Sequence, residues 1–112
     1  MYIKGSTDPF FLLPKQDTIA YMQMRLECKI TGRVQLVMFR DFVQRKATKL
    51  GITGTVKNNP DGSVSVVAEG ERRQLNELLE FIRKGSLLSR VDAVGVRWAE
   101  PLGKFDSFDI LY

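Results

Sequence analysis

The stretch Gly32-Arg33-Val34-Gln35-Leu36-Val37-Met38-Phe39-Arg40 joins two different periodicities. Upstream of it, Met22, Met24, Leu26, Cys28 and Ile30 alternate with Gln23, Arg25, Glu27 and Lys29. That is the period-2 pattern of a strand with one buried face. Downstream, Phe39, Phe42, Val43, Ala47 and Leu50 fall on one stripe at helical spacing. A strand that passes directly into a helix leaves the first-turn N–H groups without intrahelical partners, and the helix dipole adds positive potential there. The spacing therefore predicts a junction where an anion can sit, with Arg40 beside it.

Beyond this helix, Gly51 is placed to stop it in a left-handed turn. Ile52–Asn58 and Ser63–Glu69 read as strands, and the turn formers Pro60, Asp61 and Gly62 between them predict a hairpin. A second helix spans roughly Glu71–Lys84, with Leu75, Leu78, Leu79 and Ile82 as its stripe and Gly85 at its end. Arg90–Ala99 is the fourth strand, and its alternation slips near Gly95, where a bulge is expected. Phe105–Tyr112 supplies a fifth strand or edge. Two right-handed β-α-β crossovers around a central hairpin give an α+β, ferredoxin-like βαββαβ sandwich, an antiparallel sheet with two helices on one face. That architecture alone decides no chemistry.

The 112 residues suffice for one core but not two. Residues 1–20 lack a clear period and carry Gly5, Pro9 and Pro14, so they read as a loosely ordered N-terminal extension to a domain over 21–112. The Phe10–Leu13 cluster within it is bracketed by prolines and is far short of the ~20 apolar residues that cross a bilayer. The net charge of +4 favours anionic partners without separating nucleic acid from a small phosphate compound. Histidine is absent, which removes histidine catalysis, and the single Cys28 builds neither a disulfide nor a zinc site. One cysteine on an apolar strand face fits packing in a reducing, cytoplasmic setting.

Three blocks, Gly32-x-Val34-Gln35-x-Val37-x-Phe39-Arg40, Gly51-Ile52-x-Gly54-x-Val56-x-Asn58 and Pro60-Asp61-Gly62-Ser63-Val64, resemble the acylphosphatases in order and spacing. The similarity continues through Ala68-Glu69-Gly70 to Phe105-x-x-Phe108, covering roughly residues 22–112. The resemblance implies hydrolysis of a small-molecule acyl phosphate to a carboxylate and inorganic phosphate, without metal or cofactor. It places the phosphate-cradling main chain on Gln35, Leu36, Val37, Met38, Phe39 and Arg40, the catalytic arginine on Arg40 and the water-orienting asparagine on Asn58. Phosphate or sulfate ions are the expected simple ligands, and the expected form is a monomer or weak oligomer without nucleic-acid or membrane partners.

The residues suit that chemistry. A carboxylate leaves without needing a proton, so what remains is to hold the phosphoryl group, neutralise charge and aim a water molecule. Arg40 offers a planar fork of donors, and Asn58 offers a carbonyl that accepts from water. Strand parity puts Asn58 on the inward face with Ile52 and Val56. Taken alone, Asn58 reads as a turn opener before Pro60 and Arg40 as a solvated arginine; together, at the family's spacing, they read as a site.

One position departs from the pattern with consequence. Leu36 stands where the family has glycine, so the cradle must either hold a leucine left-handed, at about 1–2 kcal/mol, or take another shape. Met38 replaces a residue that is often small, and Thr55 and Ser86-Leu87 replace an aromatic and prolines at packing and loop positions. A reshaped cradle predicts the alternative function, a catalytically impaired phosphate-binding or structural module. An RNA-binding sheet is disfavoured because Ser63–Glu69 carries no aromatic.

Overall fold

A computed structural model describes residues 16–112, with side chains from residue 18. The order of elements is α1 (Gln16–Ala20), β1 (Gln23–Arg33), α2 (Phe39–Lys49), β2 (Thr53–Asn58), β3 (Val64–Glu71), α3 (Arg72–Lys84), β4 (Arg90–Ala99) and β5 (Phe108–Leu111). The Phe10–Leu13 cluster and most of the extension read over residues 1–20 lie outside the described residues. The last part of that extension, Gln16–Ala20, forms the short helix α1.

The strands lie side by side in the order β4-β1-β3-β2-β5. β1 pairs antiparallel with β3 and β4, and β2 pairs antiparallel with β3, which gives the expected βαββαβ core. The fifth strand joins β2 in parallel, so the complete sheet is mixed. Leu26, Cys28 and Ile30 from β1, Val64, Val66 and Ala68 from β3, and Val56 from β2 face α2 and α3. The helices answer with Phe39, Val43 and Ala47, and with Leu75, Leu78, Leu79 and Ile82. Burial of this apolar area supplies the main driving force for the fold. Cys28 is packed inside it, and desolvation pushes its thiol up to about 12, despite the opposing pull of Arg83. It is a packing residue. Trp98 and Phe108 likewise pack with the core rather than facing solvent as a stacking platform.

The β4 bulge is displaced from where the alternation suggested. Gly95 pairs regularly with Lys29, and the register shifts between Thr31 and Gly32, where Asp92 is the extra residue. The shift lets Val91 and Val94, three apart in sequence, both pack on the core. Gly32 is required opposite it. Its φ is 128°, and a Cβ there would lie 2.1 Å from the Arg90 carbonyl oxygen. At the end of α2, Gly51 takes φ 76° as expected of a residue that stops the helix.

Register fixes which residues share an end of the sheet. Val64 pairs with both Ile30 and Asn58, so the β1–α2 junction and Asn58 lie at one end. Glu69 pairs with Arg25 and Thr53 at the other. There the carboxylate of Glu69, only 6% exposed, accepts from the amides of Leu102 (2.7 Å) and Gly103 (3.0 Å) and from Arg25 Nη1 (3.3 Å). These bonds pin the segment between β4 and β5. Burial alone would raise the Glu69 pKa; the two amides and Arg25 outweigh it and hold the group below the ordinary glutamate range.

Candidate active site

Between β1 and α2 the chain alternates between anchoring and exposure. Val34 and Phe39 are buried and Val37 packs on the core, whereas Leu36 and Met38 turn outward. Leu36 has φ 60° and Met38 φ 57°, both left-handed, with Val37 between them not so. A main chain that switches hand residue by residue curves its N–H groups toward a common centre, the geometry of an anion nest. The cradle thus keeps its left-handed form with leucine in place, the first of the two expected outcomes. No side chain caps α2, whose N-cap is Met38, so its first turn adds donors at the same place.

A second set of bonds fastens this loop to the hairpin turn. Gln35 Nε2 donates to the carbonyls of Asn59 (2.9 Å) and Ser63 (2.8 Å). Asn59 Nδ2 in turn donates to the hydroxyls of Ser63 and Ser65, both at 2.8 Å. Asp61 accepts from the Ser63 hydroxyl and amide and pairs with Lys29 at 2.9 Å, which together hold its carboxyl well below the usual range. The turn role that sequence offered to Asn58 is therefore carried by Asn59. Asn58 is left with its Oδ1 buried and, among the described residues, without a hydrogen-bond partner. A stranded buried acceptor costs about 1–3 kcal/mol, so this oxygen can take a hydrogen bond from a water or ligand entering the cleft.

Arg40 is held from β5. Its Nη1 donates to the Leu111 carbonyl (3.1 Å), and its guanidinium carbon lies 4.9 Å from the centre of the Tyr112 ring. Gln44 Nε2 ties the same helix to the Phe108 carbonyl at 3.1 Å. The guanidinium keeps further donors uncommitted by that one bond. Val34, Leu36, Met38, Phe39, Arg40, Asp41, Asn58, Ile110 and Tyr112 together line a cleft of about 300 Å³. Asp41 is drawn aside by Arg45 at 2.9 Å. Among the described residues, no group of three or more His, Cys, Asp or Glu side chains is arranged to hold a metal ion.

Leu36, Met38, Phe39, Arg40 and Asn58 thus come to one cleft, whereas Gln35 and Val37 do not line it. Gln35 is present through its side chain as the fastening between loop and turn, a role the sequence reading did not assign. Two adjacent asparagines before Pro60 were the available signal that one serves the turn and the other does not. The contribution of Leu111 and Tyr112 had no such signal, because it depends on β5 lying beside β2.

The architecture is that of the ferredoxin-like α+β sandwiches, here with a cleft floored by polar groups where the first strand meets its helix. Within that class the sequence is decisive. The family model described as acylphosphatase matches residues 26–110, and the chain belongs to the acylphosphatase family. It is 47% identical over 89 residues to the acylphosphatase of Caldanaerobacter subterraneus subsp. tengcongensis, covering 80% of this chain and 99% of that protein. Identity to the acylphosphatase of Salinibacter ruber is 41% over 88 residues, covering 79% and 93% of the two chains. The crystal structure of acylphosphatase from Bacillus subtilis superposes with a TM-score of 0.77 at 37% identity, over 80% of this chain and 99% of that one.

Proposed function

We propose that this protein hydrolyses acyl phosphates to a carboxylate and inorganic phosphate at the cleft between α2 and β2. The phosphoryl oxygens accept from the main-chain amides of Gln35, Leu36, Val37, Met38, Phe39 and Arg40, and from the Arg40 guanidinium. Asn58 Oδ1 accepts one hydrogen of the attacking water and aims its lone pair at phosphorus. As the water oxygen bonds to phosphorus, the bond to the acyl oxygen breaks and its electron pair leaves on the carboxylate. The proton released by the water goes to a phosphoryl oxygen, because an amide is too weak a base to take it. No general acid is needed at the leaving group, which suits a chain without histidine. Arg40 and the amides stabilise the charge that spreads over the equatorial oxygens.

The observation that carries this reading is the buried, unpartnered Oδ1 of Asn58 in the same cleft as Arg40. Leu36 does not oppose it, since its side chain is fully exposed and leaves the hollow open. Nothing favours the impaired module. The reaction asks for no metal or cofactor, and inorganic phosphate or sulfate competes for the cradle. No helix among the described residues is long and apolar enough to cross a membrane. With Cys28 buried and free, we place the protein in the cytoplasm as a monomer or weak oligomer that binds no nucleic acid. The test is hydrolysis of benzoyl phosphate in the presence of a chelator. Turnover that collapses in both Arg40→Ala and Asn58→Ala supports the reading; absent turnover, or turnover untouched by both changes, overturns it.

A further inference from the structure

The rim of the cleft carries a feature that phosphate binding does not explain. Leu36 is 100% exposed, Met38 74% and Tyr112 99%, yet all three line the one cleft that also holds Arg40 and Asn58. Folding gains nothing from the burial of Leu36 and little from that of Met38, and both sit in a left-handed backbone that side-chain-bearing residues avoid. Isolated apolar residues on a surface need no explanation. These gather where the site opens, directly next to its charged floor.

Resting on the acyl phosphate reading above, we infer that Leu36 and Met38, with the face of Tyr112, form an apolar acyl subsite that selects aromatic or branched acyl phosphates over small or charged ones. The geometry of the reaction requires an occupant there. With the phosphoryl group seated in the cradle and water approaching in line, the acyl oxygen departs on the side away from the water. Its acyl group therefore extends out of the cradle along the rim. An apolar acyl group there removes the exposed surfaces of Leu36 and Met38 from water together with its own. An acetyl group is too short to do so, and a charged acyl group would lose hydration for no partner. Because the acyl group touches the rim both before and during bond cleavage, the gain falls on KM rather than kcat.

The experiment compares kcat/KM for benzoyl phosphate and acetyl phosphate in the unaltered protein, in Leu36→Asn and in Met38→Asn. Asparagine tolerates the left-handed conformation, so it removes the apolar surface while keeping the backbone of the cradle. The ratio of the two substrates cancels any general change in catalysis. The expected result is a benzoyl-to-acetyl ratio that falls about 5-fold in each variant, through KM for benzoyl phosphate; an enclosed pocket would give ~10-fold or more per methylene. A ratio unchanged within about twofold in both variants, while either substrate is still turned over, overturns the subsite and leaves the hydrolase standing. No turnover of either substrate by the unaltered protein overturns the hydrolase reading and the subsite with it.

Discussion

The two ends of the sheet treat a buried polar side chain in opposite ways. At one end Glu69 is enclosed and fully answered, by two main-chain amides and an arginine. At the other, Asn58 keeps its carbonyl oxygen buried and unanswered, beside a main chain held in disfavoured left-handed turns. Glu69 carries a charge, the harder group to bury, yet it is the one the protein satisfies by itself. The contrast accords with the roles proposed for the two residues, Glu69 tying the fold together and Asn58 held open for water, although an unanswered buried atom is not by itself a mark of function, since the Ser86 hydroxyl is another among the described residues.

The contrast makes quantitative demands. Arg40→Ala is expected to cost the most activity, about 10³-fold or more in kcat/KM for an acyl phosphate, with Arg40→Lys recovering little because an ammonium cannot offer the planar fork. A loss under tenfold in steady-state assays would remove Arg40 from the chemistry. Asn58→Ala follows, with about 10²-fold lower kcat, yet with the urea midpoint unchanged or raised, since the change deletes an acceptor that nothing satisfies. A clear drop in stability would mean that Asn58 is a structural residue after all. Glu69→Ala should do the reverse, destabilising by about 2–3 kcal/mol in equilibrium unfolding while the folded fraction keeps most of its kcat.

Acid tests the same end more gently. A carboxyl whose folded pKa is depressed contributes stability that is complete above its unfolded value and is lost as pH falls through the folded value. Glu69 is such a group, and so is Glu27, lowered by Arg25 and Arg97 against burial. Stability should therefore decline below the ordinary glutamate range, and thermal melts of Glu69→Gln should decline less steeply there. A slope identical to that of the unaltered protein would show that the Glu69 bonds do not form in solution. Smallest of all is Leu36→Gly, expected within about 1 kcal/mol of the unaltered stability, because relief of the left-handed strain is offset by the greater freedom of the unfolded chain.

Much of this was legible in the sequence, for reasons that can be named. Met22–Ile30 and Phe39–Leu50 carry clean periods because each buries a single face, and the hairpin announces itself through Pro60-Asp61-Gly62. Arg40 and Asn58 were legible as a pair through the resemblance, and the structure brings both to one cleft. The bulge was misplaced because Gly95 drew attention as a break, whereas the true signal was the odd spacing of Val91 and Val94 about Asp92. The parallel seat of β5 could not be read at all, since no local pattern says which neighbour an added strand will choose. Everything that follows from it was hidden too, including the Leu111 carbonyl on Arg40. The turn bonds of Gln35 and Asn59 belong to the same class, being side-chain contacts between segments distant in sequence.

The irregularity at Asp92 has a bearing on how the molecule behaves in a crowd. Among the described residues, β4 is an outer strand of the sheet, ten residues long and unpaired along one side. An extra residue near its start twists that border, while Arg90, Asp92 and Arg97 stud it with charge, so a second molecule cannot zip onto a flat ladder. The opposite border, β5, offers only four residues. Two such margins disfavour edge-to-edge growth into an endless sheet.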